Sequence, residues 1–236
     1  MLILYNPVST SPGKTVMPMS LLSLGAVLEG KYPYQIVDGN LINNHADTLI
    51  ELLKSNRAAA LGITVMAGPQ LNQAVPLVKK IKANLPHLPI IWGGYFATQH
   101  TEAVLNSGYV DYVVRGQGEL TLLELLDTLQ NGGDLAAISG LSYRDGEQIV
   151  DNPTRPLASL EQFPILPYHR VDMSRYLQNN YISSRAIDYN SSFGCPFYCS
   201  FCAIVSMTNR GWMPESPQRM ATTLGMLRDT YGINGV

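Results

Sequence analysis

The run AAALGITVMAGPQLNQAVPLVKKIKANLPHLPIIWGG, residues 58–94, decides the fold. Its two ends, Ala58–Thr64 and Pro89–Trp92, are short apolar runs of the length of buried strands. Between them, Gln70–Asn84 carries its apolar residues at helical spacing. Leu71, Ala74, Val75, Val78 and Ile81 share one face, while Lys79, Lys80 and Lys82 turn mostly to water. A strand, a helix of this length and a second strand form a crossover, which makes the two strands parallel.

The same rhythm continues in both directions. Candidate strands at Leu2–Tyr5, Tyr34–Val37 and Tyr109–Val114 alternate with candidate helices at Pro18–Glu29, Ala46–Ser55, Thr101–Asn106 and Leu120–Leu129. The pattern predicts an α/β fold with a doubly wound, five-stranded parallel sheet, and ligands bound beyond the carboxyl ends of its strands. Those ends carry Asp38-Gly39-Asn40, Thr64, Gly93-Gly94 and Gly116-Gln117-Gly118-Glu119. Glycines there let a ligand approach the backbone; simple strand-to-helix turns are the alternative reading.

The rhythm changes after residue 131. Ile138–Arg144 alternates like a strand, Asp145-Gly146 supplies a hairpin turn (a better account of this pair than a fragment of a calcium site), and Glu147–Val150 returns. Residues 152–175, with prolines at 153, 156, 164 and 167, read as an ordered linker. A strand over Ala186–Ser192 then enters Gly194-Cys195-Pro196-Phe197-Tyr198-Cys199-Ser200-Phe201-Cys202. A helix is expected from Ser216-Pro217, and Tyr231–Val236 reads as its cap and the opening of another strand. The expected organisation is an α/β unit over 1–135, a hairpin and Pro-rich linker over 136–184, and the beginning of a further domain over 185–236. One strand, a loop and a helix cannot close a barrel, so the chain alone is expected not to turn over.

Composition narrows the function. The 236 residues are 46% hydrophobic and 14% charged, with a formal net charge of -2. That suits a chain with a large core and argues against a general grip on nucleic acid. No apolar run is long enough to span a membrane, and the N-terminus reads as a strand and not as a signal peptide. All three cysteines fall in Cys195–Cys202, too close together for a disulfide framework, which points to a reducing, cytoplasmic setting.

Three thiolates on one short loop can ligate three irons of a [4Fe–4S] cluster and leave the fourth open for chemistry. The alternatives are a structural zinc site and cysteines buried as small hydrophobes. Zinc wants a fourth ligand, and His45, His87, His100 and His169 all lie well upstream. Ser11-Pro12-Gly13-Lys14-Thr15 ends like a phosphate-binding loop, but Val8 stands where its first glycine belongs.

The spacing Cys195-x3-Cys199-x2-Cys202, with an aromatic residue directly before the last cysteine, resembles the signature of the radical S-adenosylmethionine superfamily. The resemblance implies that Cys195, Cys199 and Cys202 hold the cluster, that S-adenosylmethionine binds the fourth iron, and that Phe201 lies against its adenine. One electron then cleaves the sulfonium to a radical that abstracts a substrate hydrogen. It also implies that 185–236 begin a (β/α) barrel.

The first 131 residues resemble the cobalamin-binding, flavodoxin-like domain of one subgroup. The matching residues are Asn6-Pro7, Pro18–Leu22, Gly62-Ile63-Thr64, Trp92–Tyr95 and Val113–Glu119. By resemblance Asn6, Pro7, Thr64, Gly93, Gly94, Gly116, Gln117, Gly118 and Glu119 contact cobalamin. Gln117 replaces the glutamate of the commoner Gly-Glu-Gly-Glu, and Asp38-Gly39-Asn40 lacks the axial histidine of Asp-x-His-x-x-Gly. The implied activity is methyl transfer, or another radical reaction at an unactivated carbon of a small molecule, with flavodoxin or ferredoxin as electron donor. The alternative is a non-catalytic cobalamin- or flavin-type binding module with a vestigial cluster loop.

Overall fold

The computed structural model describes residues 1–10 and 15–236; Ser11–Lys14 of the phosphate-loop-like run lie outside them. In chain order, β1 (Leu2–Asn6), α1 (Met19–Leu28), β2 (Tyr34–Asp38), α2 (His45–Ser55), β3 (Ala60–Thr64) and α3 (Pro69–Asn84) come first. They are followed by β4 (Ile90–Gly93), α4 (Gly94–Gln99), α5 (Thr101–Asn106), β5 (Tyr112–Val114) and α6 (Glu119–Asn131). These five strands are parallel, in the order β2-β1-β3-β4-β5.

Strand periodicity sorts side chains to two faces. Ile3, Tyr5, Leu61, Ile63, Trp92 and Val113 pack against Leu49, Leu53, Ala74, Val78, Ile81 and Leu105 of α2, α3 and α5. Leu2, Leu4, Ile91 and Val114 face the other way, against Leu21 and Leu28 of α1 and Leu122 and Leu125 of α6. The sheet is therefore covered on both sides, as the near-continuous apolar strands require.

The sheet has seven strands, not five. The hairpin of β6 (Leu141–Asp145) and β7 (Gln148–Asp151) does not stand apart. It pairs antiparallel with β5, Val113 opposite Ser142 and Val114 opposite Leu141. The free edge of β5 is an open row of hydrogen-bonding groups, and the hairpin satisfies it.

Residues 152–176 form a strap of extended segments and single 3₁₀ turns that returns across the α1 and α6 side. Arg155 donates to Thr121 Oγ1 at 2.8 Å and pairs with Glu124, and Arg170 forms a bidentate pair with Glu29 at 2.5 and 3.0 Å. Tyr168, Met173 and Tyr176 of the strap share a third apolar cluster with Ile187, Leu227 and Ile233.

The expected strand over Ala186–Ser192 is only partly formed. Ala186 makes a single parallel bridge to Gly235, and one pair is not a ladder. The regular strand is β8 (Ser192–Gly194), which pairs antiparallel with β9 (Trp212–Pro214) around α7 (Ile204–Thr208). The final helix, α8 (Pro217–Tyr231), starts as the sequence predicts: Ser216 Oγ accepts from the Arg219 backbone N–H at 3.1 Å, and Gly232 ends the helix at φ +67°. Among the described residues no helix is long and apolar enough to cross a membrane.

Candidate functional site

The carboxyl ends of β3, β4 and β5 open into a cleft of about 250 Å³. Its floor is Gly62, Thr64, Gly93, Gly94, Gly116 and Gly118. One wall is formed by Ser20, Ser23 and Leu24 of α1 with Glu119 and Leu122 of α6. The opposite wall is Leu160, Phe163, Pro164 and Leu166 of the strap, together with Ser192, Phe193, Met207, Glu215 and Arg219. The strand-end loops and the segment around the cysteines therefore share one cavity.

Gly94 begins α4 at φ +83°, where a Cβ would lie 2.9 Å from Thr64 Oγ1 and 3.2 Å from the Val65 backbone nitrogen. Only glycine fits both the left-handed backbone and that approach. The resulting slot, lined by glycine backbone and apolar side chains, suits a flat ligand that must come close to the chain. Gly118 is closely packed too, a Cβ there meeting Val114 Cγ1 at 3.0 Å.

Seven of the nine residues assigned to cobalamin line the cleft: Thr64, Gly93, Gly94, Gly116, Gln117, Gly118 and Glu119. Asn6 and Pro7 do not. The Asn6 side chain is 5% exposed, donates to Asp38 Oδ1 at 3.0 Å and accepts from Gln70 Nε2 at 2.9 Å. Pro7 offers its carbonyl to the same Gln70. Both act behind the site, holding the β1 end against β2 and α3.

Asn40 stands where a histidine would be sought. Its Oδ1 accepts from the Ser9 backbone N–H and its Nδ2 donates to Asp38 Oδ1 at 2.8 Å, so both ends of the amide are engaged within the protein.

Gln117 is a near-isosteric departure from the motif, and its geometry explains the amide. Nε2 donates to the Ala158 carbonyl at 3.2 Å while Oε1 accepts from the Ala158 N–H at 2.7 Å. A carboxylate can make the second bond but not the first. Gln117→Glu is therefore expected to loosen the strap and lower stability by about 1–3 kcal/mol, the cost of a buried acceptor left unmatched. Urea denaturation measures it, and an unchanged midpoint would remove this explanation.

Glu119 is 8% exposed and opens α6 at the cleft wall. Burial raises its pKa, an effect opposed by a hydrogen bond from its own backbone N–H. The other charged groups of the cleft, Glu215 and Arg219, pair at 3.1 Å. Arg219 also donates to the carbonyls of Phe163 and Pro164 at 2.8 and 2.9 Å, tying the strap to α8. Sequence reading missed both residues: the i,i+4 spacing of Glu215 and Arg219 is a local signal for the ion pair, but nothing local marks the Arg219 contacts to the distant strap carbonyls.

The cysteines follow β8 directly. Gly194, at φ +85°, sits so close to Gly211 that a Cβ would collide with the Gly211 carbonyl oxygen, and Cys195 N–H donates to that oxygen at 3.0 Å. Cys202 N–H closes a turn onto the Cys199 carbonyl at 2.9 Å. All three thiols are free. Cys199, Phe201 and Cys202 border one open surface depression with Arg210, whose guanidinium lies 3.9 Å from the centre of the Tyr198 ring. Phe201 is 90% exposed. Three free thiols on one turn-containing loop are donors of a type that iron–sulfur clusters accept. Among the described residues no three such groups are gathered into a ligand set.

From Cys202 the chain enters α7, which packs on α4, and a Cβ at Gly116 would lie 3.4 Å from the Met207 carbonyl oxygen. The cysteine loop and the floor of the cleft are thus one turn of helix apart.

A model of the B12 binding domain matches residues 5–126. An uncharacterized methyltransferase of Pyrococcus horikoshii is 29% identical over 227 residues, covering 95% of this chain and 48% of that protein. An anaerobic magnesium-protoporphyrin IX monomethyl ester cyclase of Synechocystis is 26% identical over 228 residues, covering 95% of this chain and 45% of the cyclase. The chain spans about half the length of these curated relatives. Two solved structures share the fold. One is the radical S-adenosylmethionine methyltransferase TsrM of Kitasatospora setae with cobalamin and a [4Fe-4S] cluster bound, with a TM-score of 0.74 and 20% identity over 98% of this chain and 46% of that one. The other is the cobalamin-dependent S-adenosylmethionine radical enzyme OxsB with aqua-cobalamin and S-adenosylmethionine bound, with a TM-score of 0.81 and 19% identity over 99% of this chain and 32% of that one.

Proposed function

The chain belongs to the B12-binding domain family, and from that premise we propose that it is the cofactor-binding part of a cobalamin-dependent radical S-adenosylmethionine methyltransferase. The observation that carries the proposal is the shared cavity. The glycine-floored ends of β3–β5 form one side, and the segment that leads into and out of Cys195, Cys199 and Cys202 forms the other.

In this reading Gly93, Gly94, Gly116 and Gly118 let the cofactor approach the backbone, with Thr64, Gln117 and Glu119 supplying polar edges. Leu160, Phe163 and Leu166 of the strap exclude water from the opposite side. Asn40, its amide engaged by Ser9 and Asp38, would offer no free side-chain group to the cofactor from the position where the motif has a histidine. Cys195, Cys199 and Cys202 hold the cluster, and Phe201 covers the S-adenosylmethionine adenine. Bound together, cobalamin supplies a methyl carrier and the cluster with S-adenosylmethionine supplies one-electron radical chemistry. The substrate is a small molecule with an unactivated carbon, and a flavodoxin- or ferredoxin-type donor provides the electron. The names of the relatives, two methyltransferases and a cyclase among them, support this reaction class.

The test is anaerobic iron–sulfur reconstitution followed by electron paramagnetic resonance with and without S-adenosylmethionine, cobalamin being added in parallel. A reduced cluster signal that shifts with S-adenosylmethionine, and retention of cobalamin through gel filtration, are the expected results. Cobalamin retained without any cluster would instead support the binding module with a vestigial loop.

A further inference from the structure

Glu119 is the least explained polar group of the cleft. It is a carboxyl on the apolar wall, 8% exposed, at the first residue of a 13-residue helix with no side-chain cap. Among the described residues its one hydrogen bond is accepted from its own backbone N–H. A buried polar group with no external partner is costly unless a ligand completes it. Its surroundings are consistent element by element. The α1 wall presents Ser20 and Ser23, and the strap presents Leu160, Phe163 and Leu166. The strand ends present glycines and Thr64, and α7 presents Met207. Glu215 and Arg219, from beside and within α8, are paired with each other.

We propose that the Glu119 carboxyl is the hydrogen-bond donor by which the cleft recognises an acceptor oxygen of a bound corrinoid. The inference rests on the cobalamin reading above. Corrinoids carry amide carbonyls and a phosphodiester, which are acceptors that a carboxylate would repel and a carboxylic acid can satisfy. Burial favours the neutral acid at this position, because the charged form loses its hydration in a largely apolar cleft. Arg219 does not offset this, since its charge is engaged by Glu215.

The sign follows from linkage. If the acid form binds, the ligand raises the folded-state pKa further, so affinity is full below the ligand-free pKa and declines as pH rises through it. A carboxylate that received a donor from the ligand would give the opposite slope.

The measurement is equilibrium dialysis of methylcobalamin, whose cobalt-bound methyl group does not titrate, against the full chain between pH 5 and 9. Three proteins are compared: the native chain, Glu119→Gln and Glu119→Leu, each with its fold checked by circular dichroism. The native chain is expected to bind less tightly as pH rises. Glu119→Gln, which keeps a donor and cannot ionise, is expected to bind within about threefold of the native acid form with no pH dependence. Glu119→Leu should lose about tenfold, corresponding to roughly 1.4 kcal/mol. If the leucine variant does not fold, the flat profile of the glutamine variant still decides. Native binding that strengthens with pH, a native profile as flat as that of Glu119→Gln, or a leucine variant that binds as well as the native chain, would overturn the inference while leaving the cobalamin reading intact. No binding by the native chain at any pH would overturn both.

Discussion

Replacing Cys199 with alanine is expected to reduce iron retention after anaerobic reconstitution at least tenfold. Cys199 supplies the middle thiol of a three-thiol loop, and in metal sites even outer partners cost 10–100-fold in affinity when removed. Cys195→Ala and Cys202→Ala should behave alike, because a cluster held by three ligands has none to spare. The measurement is iron and sulfide per chain after desalting, with zinc determined in the same samples. Cobalamin binding should survive all three substitutions, since no cysteine lines the cleft. Iron retained at the native level by any one variant would sink the cluster assignment for that cysteine. Stoichiometric zinc in place of iron would sink it for all three.

The second large effect concerns Asp38, which never touches the cleft. Its side chain is 5% exposed and accepts four hydrogen bonds. Oδ1 takes one each from Asn6 Nδ2, Asn40 N–H and Asn40 Nδ2, and Oδ2 takes one from the Tyr176 hydroxyl at 2.8 Å. Asp38→Ala leaves those donors facing a small void. At about 1–3 kcal/mol for each group that water does not recover, the expected loss is about 3–5 kcal/mol in all. For a chain of this size that lowers the melting temperature by roughly 10 °C. Tyr176→Phe removes a single donor and should cost about 1 kcal/mol, which separates the strap contact from the rest of the network. Urea denaturation of both variants gives the comparison. An Asp38→Ala chain no less stable than Tyr176→Phe would show that the network does not hold β1, β2 and the strap together.

Much of this architecture could be read from residue order alone, because a parallel strand–helix repeat fixes which ends of the strands face the ligand. Thr64, Gly93-Gly94 and Gly116–Glu119 therefore line the cleft as the pattern requires. Asn6 lies outside the cleft lining for a nonlocal reason. Its amide is claimed by Asp38, 32 residues away, and by Gln70, 64 residues away, and no local pattern announces either partner. The hairpin was visible through Asp145-Gly146, but its destination was not, since any free strand edge could have taken it. The contact between Gln117 and Ala158 spans 41 residues and turns a departure from a motif into a structural requirement. Among the helices of five or six residues, α5 was legible and α4 and α7 were not; none of the three has enough turns to show a full period. The spacing of the cysteine loop is plain in the sequence, whereas the antiparallel pairing of β8 with β9 around it depends on Gly211 and Trp212, which carry no motif.

The four prolines of the strap have a consequence for the unfolded chain. Each fixes one backbone torsion before folding begins, and a compatible proline stabilises by about 0.4–1 kcal/mol by shrinking the denatured ensemble; four therefore contribute on the order of 2–4 kcal/mol. That gain falls on the segment whose Leu160, Phe163, Pro164 and Leu166 wall the cleft. A wall restrained in this way has less conformational entropy to surrender when a ligand arrives. The ordering cost that a floppy lid would add to binding is correspondingly reduced, without one additional contact.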